Sequence, residues 1–120
     1  PRTLKNTGEL WTNIAGLRVV EPLGYIDFLG LMARARVLLT DSGGIQEETT
    51  ALGVACITVR TSTERPVTVD EGTNRLANPN AASVLAAFRA GPKPGARVPA
   101  LWDGHASSRV VDVLAAELRP

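Results

Sequence analysis

Two glycines follow an aspartate and a serine in Thr40-Asp41-Ser42-Gly43-Gly44-Ile45-Gln46-Glu47-Glu48, an order of residue types suited to holding an anion. The stretch comes after the apolar run Val37-Leu38-Leu39 and before a helical pattern, so the glycines fall at a strand-to-helix turn. With no side chains in the way, a phosphate can approach the backbone N–H groups there, and the helix N-terminus adds about half a positive charge. The Ser42 hydroxyl is a further donor. Glu48, four residues after Gly44, falls on the same helical face one turn deeper, where a carboxylate can accept hydrogen bonds from two sugar hydroxyls. That spacing fits a ribose. The same residues equally make a plain turn with a helix cap, Glu47 and Glu48 then serving only the electrostatics of the first turn. Spacing alone does not choose between the two.

A second stretch, Thr63-Glu64-Arg65-Pro66, follows the next apolar run and should open on the same edge of the sheet. Arg65 could reach the same phosphates with a forked, charge-assisted contact, or pair at the surface with Glu64 or Asp70. His105 is the only histidine, beside a helix start at Asp103-Gly104, and reads as an exposed or capping residue rather than a base. The only cysteine, Cys56, lies in Val54-Ala55-Cys56-Ile57 and reads as a small buried hydrophobe.

Short runs rich in β-branched residues alternate with helical patterns, which places the chain in the α/β class with parallel strands and crossover helices. Residues 2–11 suggest a short polar helix. Leu17-Arg18-Val19-Val20-Glu21 reads as a strand stopped by Pro22. From Tyr25 to Ala35 the residues Tyr25, Phe28, Leu29 and Met32 share one apolar face expected to pack on the sheet. Val37 to Thr40 predicts a buried strand, Ile45 to Leu52 a helix ended by Gly53, Ala55 to Val59 a third strand, and Arg75 to Ala77 a short last one. A short helix falls between Pro66 and Gly72. Asn80 should cap a helix through Ala90, Gly91-Pro92-Lys93-Pro94-Gly95 stops it, and Ser107 to Leu118 forms a final helix with the stripe Val110, Val111, Leu114, Ala115 and Leu118. Three parts follow: an α/β domain over 1–90, a Pro/Gly linker over 91–100, and a terminal segment over 101–120.

At 120 residues there is room for one modest domain. The 13 Lys and Arg against 12 Asp and Glu form no like-charge run, which argues against a nucleic-acid groove or a polybasic membrane patch. No apolar stretch approaches the roughly 20 residues of a membrane span, and Pro1-Arg2-Thr3-Leu4-Lys5 has no signal-peptide core behind it, so the expected location is the cytoplasm.

Taken together, the 41–48 stretch, Thr63-Glu64-Arg65-Pro66 and Gly72-Thr73-Asn74-Arg75-Leu76 resemble the bacterial non-hydrolysing UDP-N-acetylglucosamine 2-epimerases, and the likeness extends from Pro1 through Pro22-Leu23-Gly24-Tyr25 to Leu101-Trp102-Asp103-Gly104. The resemblance implies the C-terminal part of a two-domain, glycosyltransferase-B-type fold with a Rossmann-like parallel sheet. It implies that Ser42, Gly43 and Gly44 hold the diphosphate of a UDP-sugar, Glu48 the ribose, Arg65 the phosphates or their surroundings, and Phe28 with the backbone near Leu23 the uracil. Phe28 also shares the apolar face of its helix, so core packing competes with that role. The implied reaction inverts C2 of the sugar by eliminating UDP and returning it, with no cofactor and no metal. Its acid and base groups are expected in a part of the family not represented here, so no catalytic residue is nominated. Set against the family's strand order, the 17–21 strand would be parted from the 37–40 strand by a gap two strands wide, and the final helix would lack its partner. Self-association, as a homodimer, or marginal stability is the expectation.

Overall fold

The structure, a computed structural model, describes residues 14–118. Three short strands, β1 (Leu38–Thr40), β2 (Cys56–Val59) and β3 (Asn74–Ala77), form one parallel sheet in the order β1-β2-β3. Leu38 lies opposite Cys56, and Cys56 opposite Asn74, so the three strands start level. Parallel neighbours need crossovers of a dozen or more residues. Helix α1 (Tyr25–Met32) leads into β1, α2 (Gly43–Leu52) joins β1 to β2, α3 (Pro66–Asp70) joins β2 to β3, and α4 (Ala81–Arg89) and α5 (Ala106–Glu117) follow.

Local chemistry sets these boundaries. Gly53 closes α2 with φ +70°, a left-handed conformation that costs residues bearing a Cβ, and its N–H returns to the carbonyl of Thr50. Pro66 opens α3 at a position where its missing N–H removes no bond. The Asn80 side chain caps α4 by accepting from the Ser83 N–H at 2.9 Å. The expected helices over 45–52, 80–90 and 107–118 and the strands over 37–40, 55–59 and 75–77 are therefore present, with ends moved by a residue or two.

The 17–21 strand is not formed. Those residues are irregular and exposed, and among the described residues no strand lies alongside to receive their backbone bonds. The apolar face of α1 is only partly buried: Met32 is fully enclosed and Phe28 and Leu29 are half-buried, but Tyr25 stays exposed. The helix expected over residues 2–11 lies outside the described residues.

The core is small and strongly polar. Met32, Val54, Cys56, Ile57 and Ala77 are its apolar members, and Gln46, Thr49, Thr50, Thr58, Thr68, Thr73 and Asn74 are buried beside them. Burial pushes the Cys56 thiol above its ordinary value, in keeping with a packing role. Gly72 meets this core so closely that an added Cβ would lie 2.7 Å from the Thr68 carbonyl oxygen and 2.6 Å from the Thr50 methyl. After α4 the 91–100 segment doubles back: Lys93 donates to the carbonyls of Val69 and Asp70, and Arg97 binds Glu71 through both its backbone N–H and its guanidinium. Helix α5 buries none of its residues.

Candidate functional site

β1 ends at Thr40, two residues turn the chain, and α2 begins at Gly43, so the glycines sit at the carboxyl end of a parallel strand and in the first turn of a helix. An α-helix leaves its first N–H groups without internal acceptors. The Ser42 N–H is taken by the Thr40 hydroxyl at 3.0 Å, and the N–H groups of the first turn of α2 are those of Gly43, Gly44 and Ile45. Ser42 occupies the N-cap with extended backbone, yet its hydroxyl makes no cap bond and is exposed. Gly44 has open space where a side chain would begin. Gly43 does not: an added Cβ would lie 2.7 Å from Oε1 of Glu64.

Glu64 belongs to the loop after β2, which a parallel neighbour delivers to the same edge of the sheet. Its carboxylate is held below the usual carboxylate range, first by its own backbone N–H and then by the charges of Arg60 and Arg65. Arg60 lies 3.0 Å away. Arg65 turns the other way, its Nε 2.9 Å from Glu47 Oε1, close enough for an ion pair but misaligned for a hydrogen bond. Its Nη1 donates to the Glu64 carbonyl at 3.4 Å. The structure thus brings Arg65 onto the first turns of α2, through a partner that neither sequence reading named.

Glu48 is half-buried on α2 and accepts from the Tyr25 hydroxyl at 3.3 Å, a contact that ties α1 to α2. Phe28 lies one turn beyond Tyr25, and Leu23 is exposed in the segment leading into α1. Trp102 shares a surface hollow with Glu47, Glu48 and Ala51. His105 takes the N-cap position of α5, where its side chain is exposed and makes no cap bond.

Sequence reasoning passed over Gln46, which is fully buried behind the turn. Its Nε2 donates to the Ser42 carbonyl at 3.3 Å and its Oε1 accepts from the Thr63 hydroxyl at 2.6 Å. Between Gly44 and two glutamates it reads as one more polar helix residue. Tyr25 and Glu64 were passed over as well, the first read as core and the second as a surface charge. Among the described residues no group of three or more His, Cys, Asp or Glu is placed to hold a metal, and no helix is long and apolar enough to cross a membrane.

A parallel α/β sheet with a glycine turn at the carboxyl end of a strand, opening a helix, defines a Rossmann-like protein, a class in which ligands commonly bind at such an edge. A family model described as UDP-N-acetylglucosamine 2-epimerase matches residues 1–115, and the chain belongs to that family. The UDP-N-acetylglucosamine 2-epimerase of Methanococcus maripaludis is 42% identical over 90 residues, covering 71% of this chain and 25% of that protein. The solved UDP-GlcNAc 2-epimerase of Methanocaldococcus jannaschii in complex with UDP-GlcNAc and UDP superposes with a TM-score of 0.76 at 34% identity, over 96% of this chain and 33% of that one. The enzyme from Neisseria meningitidis bound to UDP-GlcNAc gives a TM-score of 0.78 at 29% identity, over 93% of this chain and 32% of that one. The chain spans about a quarter of the length of such curated relatives and about a third of the solved chains. The three-stranded sheet and its flanking helices are part of the glycosyltransferase-B-like fold of those neighbours.

Proposed function

We propose that this chain is the UDP-binding part of an isomerase that interconverts UDP-N-acetylglucosamine and UDP-N-acetylmannosamine by eliminating UDP and adding it back. The observation that carries the proposal is the α2 N-terminus, where the Gly43 and Gly44 N–H groups and the Ser42 hydroxyl lie within one turn of Glu48 and beside Arg65. Ser42, Gly43 and Gly44 receive the diphosphate. Glu48, oriented by Tyr25, accepts from the ribose hydroxyls, and Phe28 with the backbone near Leu23 flanks the base. Arg65 exchanges Glu47 for a phosphate oxygen.

In such a reaction charge develops on the departing diphosphate. Fixed N–H dipoles and a guanidinium aimed at that charge lower the barrier without solvent reorganisation. Proton transfer at C2 is assigned to no residue of this chain.

Calorimetric titration of UDP at low salt tests the binding claim. Saturable binding is expected, weakened about tenfold or more by Arg65→Ala, because charge-assisted bonds contribute roughly 1.5–3 kcal/mol. No binding by a chain shown to be folded would remove the proposal. A second reading is a UDP-binding part that turns nothing over. Assaying formation of UDP-N-acetylmannosamine by the chain together with the remaining two-thirds of a family member separates the two.

A further inference from the structure

Behind the glycine turn lies a hydrogen-bonded group that the ligand itself does not touch. The Gln46 Oε1 accepts from the Thr63 hydroxyl at 2.6 Å and from Asn74 Nδ2 at 3.1 Å, which uses both of its lone pairs. Asn74 Nδ2 also donates to the Thr68 hydroxyl oxygen at 3.2 Å, and Asn74 Oδ1 accepts from Thr58 at 2.7 Å, so the orientation of its amide is determined by its partners. The outputs of this group converge on the backbone of one residue, Arg65. The Thr63 hydroxyl oxygen accepts the Arg65 N–H at 3.0 Å, and the Thr68 hydroxyl donates to the Arg65 carbonyl at 2.7 Å. On the other side, Gln46 Nε2 holds the Ser42 carbonyl at 3.3 Å. Gln46, Asn74, Thr58 and Thr68 are all fully buried, where a hydrogen bond is hard to replace with water.

We infer that Gln46 is a positioning residue which, with Asn74 and Thr63, sets the spacing between the Ser42–Gly44 turn and the Arg65 backbone, so that the turn and the Arg65 guanidinium meet one diphosphate. The inference rests on the UDP-binding reading given above. It gives a physical reason for three motifs at once: the glutamine inside the glycine-turn helix, the threonine of Thr63-Glu64-Arg65-Pro66, and the asparagine of Gly72-Thr73-Asn74-Arg75-Leu76 each supply one corner of the same group. The residues that face the ligand could not keep this spacing themselves. Arg65 is 41% exposed at its side chain, and its ion pair with Glu47 is surface-like.

The test is calorimetric titration of UDP and of uridine into the unaltered protein and into Gln46→Met, Thr63→Val and Thr63→Ser, with amide exchange at Arg65 followed in the ligand-free state. Gln46→Met and Thr63→Val should each weaken UDP by about tenfold, the loss expected when a buried partner is left unpaired, while uridine stays within about twofold. Arg65 exchange should accelerate in both, and Thr63→Ser, which keeps the hydroxyl, should restore UDP binding. Unchanged UDP affinity in a folded Thr63→Val protein overturns the inference, as does an equal loss for uridine, which would mark general loosening. Should Gln46→Met not fold, the Thr63 pair carries the comparison alone. Failure of the unaltered protein to bind UDP would overturn the site reading and the inference with it, an outcome distinct from the other two.

Discussion

Glu64 places a carboxylate against Gly43, at the position where an anion would approach the helix N-terminus. In the proposed complex the diphosphate and the Glu64 carboxylate oppose each other as like charges, while Arg60, 3.0 Å away, holds the carboxylate in place. Glu64→Gln should therefore raise UDP affinity by about a few-fold at most, since an exposed charge is well screened. A fall measured by the same titration would mean that Glu64 helps hold the ligand. Glu64 and Asp103 both titrate low, Asp103 chiefly because it accepts the His105 N–H and then because of Arg109. Their stabilisation is present above the unfolded carboxylate value of about 4 and is lost as pH falls through the lower folded values. Glu64→Gln with Asp103→Asn should accordingly flatten the acid limb of a stability–pH curve, followed by urea denaturation at a series of pH values. At this scale the sequence marked Ser42, Gly43, Gly44, Glu48 and Arg65, which the structure places on or beside the first turns of α2. It concealed Gln46 and Asn74, whose role depends on being buried together 28 positions apart.

Element boundaries were legible wherever one residue carries a local device. Gly53 and Asn80 end and begin helices through their own backbone and side-chain geometry, which needs no distant partner. Gly53→Ala should cost about 1–2 kcal/mol for its left-handed backbone, and Asn80→Ala about 1 kcal/mol for the lost cap, both read from chemical denaturation. Gly72→Ala should cost about 1–3 kcal/mol or more, because the new methyl meets the Thr68 carbonyl, which belongs to the backbone and cannot swing aside. Equal stability of Gly72→Ala would show that α3 can shift. The failed expectation is equally informative. Leu17-Arg18-Val19-Val20-Glu21 has a strand's composition, but a strand is completed by its neighbour, and among the described residues β1 pairs on one side only, with β2.

At the scale of the molecule, helix α5 lies uncovered: Val110, Val111 and Leu114 are each more than half exposed, in a row on one face. An apolar stripe of this kind favours association. Sedimentation velocity should show concentration-dependent association of the unaltered chain, reduced by Val110→Lys with Leu114→Glu; a monomer at all concentrations would contradict this. The periodicity of α5 was legible in the sequence, and its lack of cover was expected only from the family resemblance, because a pattern of apolar residues states that a face must be buried without stating by what.

The central claim is that the first turn of α2 holds a diphosphate, and amide NMR of the labelled chain during UDP titration tests it most directly. The account predicts that the Gly43 and Gly44 resonances shift most and that uridine, which lacks phosphate, leaves them nearly unmoved while still perturbing Glu48. Shifts centred elsewhere, or equal shifts of the two glycines with uridine, would contradict it.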